Sequence, residues 1–216
     1  MIHREGIMPL VGLTLMAGVV TVGALVTPKH LLTVFAAACW LLVLFTVYFF
    51  RDPDRQGPRG ENLVVAPADG KVVEIAEVVP EEYLEGNCLR ISIFLSIFDV
   101  HVNRAPVSGR VEYFRYHRGE FRPAYRKGTG ETNEHTSIGI RTPRGQVLLK
   151  QVAGVLARRI VCDLREGDRV EQGERFGMIK FGSRVEVFLP LGSTPRVAVG
   201  QKVRGGVDIL AELPVP

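Results

Sequence analysis

Two long apolar segments at the N-terminus restrict the folds that are open to this chain. Residues 6–28 and residues 31–50 contain no charged side chain. Each segment is about long enough to cross the hydrocarbon core of a bilayer as a helix. Because the linker at residues 27–30 is very short, we expect residues 1–50 to form a membrane-anchoring hydrophobic helical hairpin. Such a hairpin either spans the membrane or enters and leaves it on one side.

Arginines flank the predicted hairpin on both sides. Arg4 precedes it, and Arg51, Arg55 and Arg59 follow it. Because positive residues stay on the cytoplasmic side, we expect residues 51–216 to lie on the cytoplasmic face of the cell membrane. The net charge of +4 favours anionic membrane lipids as partners. No basic run interleaved with aromatic residues is present, which argues against nucleic acid as a partner.

The remainder of the chain has the pattern of a β-rich domain. Residues 51–61 are polar and rich in Pro and Gly, which is typical of a linker. Residues 62–216 contain short β-branched and alternating runs separated by turn residues, so we expect a mainly β fold, a β-rich sandwich. A G-x-x-V-x-x-G spacing in residues 167–173 recurs in residues 200–206 and resembles the barrel-sandwich turns of biotinyl and lipoyl carrier domains. No modifiable lysine lies at a hairpin tip, so this likeness concerns the fold alone.

The three cysteines do not indicate a metal site. Cys39, Cys88 and Cys162 are widely spaced, and the sequence contains no C-x-x-C pair. Neither a zinc site nor a disulfide framework follows from this pattern. We therefore expect unpaired thiols in a reducing compartment and no bound metal.

A glycine followed by a serine stands between two apolar runs near the C-terminus. Taken alone, Gly182 and Ser183 indicate an ordinary β-turn. Residues 181–185, however, read Phe-Gly-Ser-Arg-Val. This run resembles the processing site of the phosphatidylserine decarboxylase family, in the form found in its short bacterial and archaeal branch.

Three further segments resemble the same family, in the same order along the chain. Residues 49–53, Phe-Phe-Arg-Asp-Pro, resemble the start of the family's catalytic domain. Residues 66–72 contain its Pro-Ala-Asp-Gly signature. Residues 95–106, with the run Phe-Asp-Val-His-Val-Asn-Arg-Ala-Pro, resemble its histidine segment. Four matches in the right order make coincidence a poor explanation.

The resemblance implies a proenzyme that cuts itself between Gly182 and Ser183. The Ser183 hydroxyl adds to the Gly182 carbonyl carbon, the amide shifts to an ester, and β-elimination releases the upstream chain. The dehydroalanine that is left hydrolyses to a covalent pyruvoyl group and ammonia. The catalytic domain, residues 62–216, would then be divided between a large chain, residues 1–182, and a small chain, residues 183–216, which form a heterodimer. A glycine before the serine suits a strained backbone and leaves room for the attack.

The activity implied by the resemblance is pyruvoyl-dependent decarboxylation of phosphatidylserine to phosphatidylethanolamine in phospholipid biosynthesis. The substrate amine forms a Schiff base with the pyruvoyl group made from Ser183, and the conjugated carbonyl accepts the electrons left by CO₂. Two alternatives stay open. One is decarboxylation of a related serine-headed lipid such as an archaetidylserine. The other is a non-enzymatic, membrane-tethered barrel-sandwich binding module, which predicts an intact chain.

The resemblance also implies which residues act as acid, base and orienting group. Asp69 matches the family's aspartate, and His101 matches the first histidine of its histidine segment, in an arrangement like a Ser-His-Asp triad. Longer members carry a second histidine where this chain has Arg104. The base for self-cleavage is therefore either His101 or His135. His101 is also the predicted donor of the proton that replaces CO₂.

The substrate's phosphate requires positive charge. The candidates are Arg104, Arg122, Arg126 and Lys127. A solvated basic surface is the alternative interpretation of this cluster.

A second serine offers a competing processing site. Residues 191–194 read Leu-Gly-Ser-Thr, a form seen in longer members of the family. In the family a hydrophobic strand directly follows the serine. Ser193 is followed closely by Pro195, which interrupts a strand, whereas Ser183 is followed by an apolar run. Ser183 is therefore the predicted site.

Overall fold

The computed structural model describes residues 1–27, 30–123, 132–154, 159–180 and 182–214. The chain divides into two compact units, Met1–Asp54 and Arg55–Pro216. This division falls inside the segment that the sequence indicates as a linker.

The N-terminal unit is a pair of apolar helices. A short 3₁₀ turn at Arg4–Gly6 leads into α1, Ile7–Val26, and α2 follows at His30–Phe49. Both helices are long and apolar enough to cross a membrane. Most of their large side chains are exposed, and a helix that is apolar all round is typical of a membrane span. The predicted hydrophobic helical hairpin is therefore confirmed.

The ends of the hairpin are tied together by the backbone. The amide of His3 donates to the carbonyl of Phe50 at 2.8 Å, and the amide of Asp52 donates to that of Met1 at 2.8 Å. Between the helices, Ala17, Cys39 and Val43 form a small buried cluster. Both ends of the unit therefore lie on the same side.

The second unit is built from β-strands, which confirms the predicted mainly β fold. The strands are β1 (Leu63–Val65), β2 (Gly70–Val78), β3 (Cys88–Leu95), β4 (Val102–Arg104), β5 (Gly109–His117), β6 (His135–Thr142), β7 (Gly145–Val152), β8 (Ile160–Cys162), β9 (Arg169–Val170), β10 (Arg175–Ile179), β11 (Ser183–Pro190), β12 (Thr194–Pro195), β13 (Lys202–Val203) and β14 (Ile209–Glu212).

These strands form one large and two small antiparallel sheets. The eight-stranded sheet has the order β13-β2-β3-β11-β7-β6-β5-β9. One three-stranded sheet has the order β4-β10-β8, and the other has the order β1-β14-β12. The chain passes from the first small sheet to the large one between β10 and β11, which is where the predicted processing bond lies.

Strand β11 is buried on both faces. Because side chains alternate along a strand, Ser183, Val185 and Val187 share one face, and Arg184 and Glu186 share the other. Val185 and Val187 belong to the main hydrophobic core. On the other face the Arg184 guanidinium, 2% exposed, forms an ion pair with Glu186 at 2.8 Å. The first face is apolar and the second is a buried polar network.

The two G-x-x-V-x-x-G segments occupy equivalent places in the large sheet. Their valines, Val170 in β9 and Val203 in β13, are both buried. Strands β9 and β13 are the two edge strands of the large sheet, so the two repeated segments lie at its opposite edges.

Candidate active site

Gly182, the glycine of the predicted processing bond, has an unusual backbone conformation. Its φ is +63°, in the left-handed region that residues with a side chain avoid. A Cβ built on Gly182 meets no other atom within 4 Å. Conformation, rather than lack of space, is therefore what requires glycine at this position. Residue 181 lies outside the described residues.

Ser183 is fully buried at the first position of β11, opposite Leu95 of β3. Its Oγ is enclosed and has no hydrogen-bond partner in the described part of the chain. A buried hydroxyl without a partner costs about 1–3 kcal/mol. Such an atom in a folded protein calls for an explanation, and a chemical role is one of the few available.

The hydroxyl of the competing serine is satisfied. Ser193 Oγ donates a hydrogen bond of 2.7 Å to the carbonyl of Pro190. Ser193 precedes the two-residue strand β12, not a long buried strand. The two serines therefore differ in both their hydrogen bonding and their surroundings.

His101 is the histidine that lies beside the glycine of the predicted processing bond. It is completely buried, and its Nε2 lies 3.4 Å from the amide nitrogen of Gly182. Its Nδ1 lies 2.9 Å from the carbonyl oxygen of Asp99. Because a carbonyl can only accept, Nδ1 carries the proton and Nε2 presents a lone pair to the Gly182 N–H. His101 is thus in the tautomer that a general base requires.

Asp69 has partners other than a histidine. Its two carboxylate oxygens form a bidentate ion pair with Arg55, in which Nη2 to Oδ2 measures 2.8 Å. The amide of Gly205 also donates to Oδ1 at 2.8 Å. The structure therefore places Asp69 in a charge pair with Arg55 and shows no hydrogen bond between Asp69 and His101 among the described residues. Its role in cleavage stays a prediction.

Arg104 lies close to this ion pair. It is 4% exposed, and its Nη1 donates to the carbonyl of Gly173 at 3.0 Å. Together with Arg55, Arg59 and Arg175 it lines an open cavity of about 420 Å³. An arginine thus stands near the aspartate at the position where the resemblance implied a histidine.

The structure does not place the other candidate ligands of the phosphate, among the described residues, at the cavity lined by Arg104. Arg122 is exposed and forms an ion pair with Glu120. In the described ranges no contact joins Arg122 to His101 or Ser183. Arg126 and Lys127 lie outside the described residues.

His135 belongs to a different cluster, on the face of the sheet that carries Arg184. Its ring stacks on His117 with centroids 4.4 Å apart, and its Nδ1 lies 2.7 Å from the carbonyl of Asn133. Burial lowers the pKa of His135, because it disfavours the charged imidazolium. The structure therefore brings His101, and not His135, to the Gly182 amide.

Sequence reasoning missed the acid at the centre of this second cluster. Burial alone would raise the pKa of Glu82, but hydrogen bonds from Lys150, Ser137 and Tyr113 outweigh it and lower the pKa to about 2. Ligand atoms of Glu82, His117 and His135 lie within 4.8 Å of one another, which is compact enough for a metal ion. The ammonium of Lys150, 2.7 Å from the same carboxylate, already supplies the positive charge.

Comparison with known proteins gives a consistent result. A family model described as phosphatidylserine decarboxylase matches residues 42–211. The chain is 48% identical over 214 residues to the phosphatidylserine decarboxylase proenzyme of Carboxydothermus hydrogenoformans, covering 98% of this chain and 96% of the relative. It is 50% identical over 175 residues to the proenzyme of the same name from Salinibacter ruber, covering 80% and 77%. The proenzyme from Amoebophilus asiaticus is 40% identical over 216 residues, covering 98% and 96%.

Proposed function

Because this chain belongs to the phosphatidylserine decarboxylase family and is a carboxy-lyase, we propose that it cleaves itself between Gly182 and Ser183 and then converts phosphatidylserine to phosphatidylethanolamine. The observation that carries this proposal is the buried, unpartnered hydroxyl of Ser183. Ser183 directly follows Gly182, which is in the left-handed conformation and whose amide nitrogen lies 3.4 Å from His101 Nε2.

The proposed cleavage begins with nucleophilic attack inside the chain. Ser183 Oγ forms a bond to the carbonyl carbon of Gly182, and its proton passes to His101 Nε2. The Asp99 carbonyl stabilises the resulting imidazolium by accepting the Nδ1 proton. The bond from Gly182 carbon to Ser183 nitrogen then breaks, and that nitrogen takes the proton from His101. The product is an ester between the two residues, which β-elimination resolves into the large and small chains.

The surroundings of Ser183 fit a pyruvoyl group. The group would be made from Ser183 itself, at the start of β11. The enclosed Ser183 Oγ makes no hydrogen bond in the described part of the chain, so its loss would break none. When present, its carbonyl supplies the electron sink for loss of CO₂. Cleavage makes Gly182 the C-terminus of the large chain, and a shift of that end would let His101 Nε2 hold the proton that returns to the substrate carbon.

We retain Asp69 and Arg104 in the proposal as positioning groups. The Asp69–Arg55 ion pair and the Arg104–Gly173 hydrogen bond fix the segments on either side of the cavity of about 420 Å³. Of the four basic candidates for the phosphate, Arg104 is the one in the same segment as His101, since only Val102 and Asn103 separate them.

The proposal also covers the location of the enzyme. The two apolar helices would hold it at the cell membrane, where its lipid substrate resides, with the catalytic unit on the cytoplasmic face. Basic residues of the catalytic unit would favour an anionic lipid surface.

Mass spectrometry of the full-length protein tests the proposal. The purified chain should consist of two fragments, residues 1–182 and 183–216, and the small fragment should be one ammonia lighter than the free peptide, with no N-terminal amine. Ser183→Ala should give one inactive, full-length chain. Ser193→Ala, the matched control, should be processed as in the wild type. An intact chain that decarboxylates phosphatidylserine would refute the mechanism, and activity only on another serine-headed lipid would change the substrate.

A further inference from the structure

Asn103, like Ser183, carries a buried polar atom that has no hydrogen-bond partner in the described part of the chain. The residue lies in β4 and is 0% exposed. Its Oδ1 accepts a hydrogen bond of 2.7 Å from Gln151 Nε2, but its Nδ2 has no partner in the described part of the chain. The unpartnered donor of Asn103 and the unpartnered hydroxyl of Ser183 therefore occur in the same unit, and both call for an explanation.

The orientation of the Asn103 amide is set by its neighbours. Gln151 Nε2 also approaches the carbonyl oxygen of Val161 at 3.4 Å, and this oxygen can only accept. The Oε1 of Gln151 is occupied by the hydroxyl of Thr136 at 2.7 Å. The Gln151 nitrogen must therefore face Asn103, so Asn103 turns its oxygen towards Gln151 and its Nδ2 away from it.

This amide lies at the junction where the chain changes sheets. Asn103 follows His101 by two residues, so the two side chains leave an extended segment on the same side. Gln151 is opposite Val185 of β11, and Val185 shares a face with Ser183. The Asn103–Gln151 bond thus joins the β4-β10-β8 sheet to the large sheet, on the face of Ser183. Gly182, the glycine of the predicted processing bond, directly precedes β11, where the chain enters the large sheet.

We propose that the side-chain amide of Asn103 donates a hydrogen bond to the oxyanion that forms on the Gly182 carbonyl during self-cleavage. When Ser183 Oγ bonds to the Gly182 carbon, the carbonyl π pair moves onto the oxygen and the hydroxyl proton passes to His101. Asn103 Nδ2–H stabilises that negative oxygen. The pair returns when the carbon–nitrogen bond breaks and Ser183 nitrogen takes the proton. A donor that is already fixed in a dry site needs no reorganisation, which makes its effect large.

This inference rests on the proposed self-cleavage and is tested by the rate of that step. The full chain is made by cell-free synthesis into phospholipid nanodiscs, and conversion to two fragments is followed on gels. Asn103→Asp keeps the acceptor to Gln151 but replaces the donor with a negative oxygen. We expect it to slow cleavage roughly 10²–10³-fold, the usual effect of losing one oxyanion donor. Asn103→Leu removes both hydrogen-bonding atoms and should slow cleavage similarly.

A third variant separates an oxyanion donor from a structural clamp between the sheets. Gln151→Glu offers Asn103 an acceptor, so the amide should turn its Nδ2 towards position 151. The bond between the sheets is then kept, but the donor faces away from Gly182. We expect slow cleavage at a temperature well below the melting temperature of this variant, which should fall because the new carboxylate is buried and faces the Val161 carbonyl oxygen. Ser137→Ala, which removes a buried hydroxyl bonded to Glu82 at 2.6 Å on the other face, should cleave at the wild-type rate.

Hydroxylamine identifies the affected step, because it cleaves an accumulated ester but not an amide. The reagent should leave the Asn103 and Gln151 variants intact, since their defect precedes the ester. Cleavage of Asn103→Asp at the wild-type rate, or its full rescue by hydroxylamine, would overturn the role of Asn103 and leave the proposed function standing. A wild-type chain that stays intact would instead refute self-cleavage itself, and the inference with it.

Discussion

Replacing Gly182 with alanine tests whether the left-handed backbone at the processing bond is needed for cleavage. An alanine held at φ +63° costs roughly 1–2 kcal/mol relative to glycine. The smaller conformational freedom of alanine in the unfolded chain returns about 0.4–1 kcal/mol. No clash adds to this, since a Cβ meets nothing within 4 Å. The net loss in the free energy of unfolding should therefore be about 1 kcal/mol.

Gly86 provides a matched control for this change. Its φ is +74°, and a Cβ there also meets nothing within 4 Å, but it lies in the loop before β3. Gly86→Ala and Gly182→Ala should lower stability by similar amounts, or roughly 2–4 °C in melting temperature. Both are measured in the Ser183→Ala background, so that the chain stays intact.

The two alanine variants should differ in cleavage. In the otherwise wild-type chain, relief of the strain at position 182 rotates its carbonyl away from Ser183 Oγ, and a misplaced reacting group slows a reaction by roughly 10²-fold. Gly86→Ala should be processed at the wild-type rate. If Gly182→Ala loses about 1 kcal/mol but cleaves normally, the conformation is incidental to the chemistry. If it loses much more, the packing around Gly182 is tighter than the structure indicates.

Three further outcomes are expected. Asp69→Ala should slow self-cleavage and lower stability, because Arg55 is left without its bidentate partner; normal processing on a gel time course would show that Asp69 has a structural role only. Glu82→Gln should flatten the acid side of the pH–stability curve. Because the pKa of Glu82 is lowered from 4.5 to about 2 in the folded protein, its ionised carboxylate stabilises the fold at pH values above 4.5. This contribution, up to ~3 kcal/mol of the free energy of unfolding, is lost as the pH falls towards 2. An unchanged acid-denaturation curve for Glu82→Gln would contradict this assignment. Deletion of residues 1–54 should release most of the protein from sedimented membranes, and equal retention of the truncated chain would show that a different surface binds lipid.

The sequence predicts what depends on local composition and spacing. The two helices follow from long uncharged runs, and the β-rich unit follows from short β-branched runs between turns. The valines of the repeated spacing, Val170 and Val203, are both buried in the second unit. The expectation that the residue before Ser183 must tolerate strained backbone angles agrees with the φ of +63° at Gly182.

The partners of the site residues could not be obtained in this way. Asp69 binds Arg55 and the amide of Gly205, which is 136 residues away, and Asn103 binds Gln151 across 48 residues. Such pairs depend on how the sheets meet and not on any local pattern. The location of His135 depends on the register of β5 and β6, which pairs it with His117. Arg55 is the clearest example of a contact that the sequence does not predict. The sequence indicates only that Arg55 is a positive charge flanking the anchor, whereas the structure pairs it with Asp69.

If the proposed cleavage takes place, the central position of β11 has a consequence for the lifetime of the cleaved enzyme. Every residue from Ser183 to Pro190 pairs with β3, and residues 184–188 also pair with β7. The strand must therefore be inserted while the chain is still continuous, when its effective concentration is high. After the proposed scission the same strand would belong to a separate peptide, and a denatured enzyme would have to recapture it from dilute solution. The cleaved enzyme would therefore not refold after unfolding, and its lifetime would depend on how slowly it unfolds. A cell would replace a heat-damaged molecule by new synthesis and not by refolding.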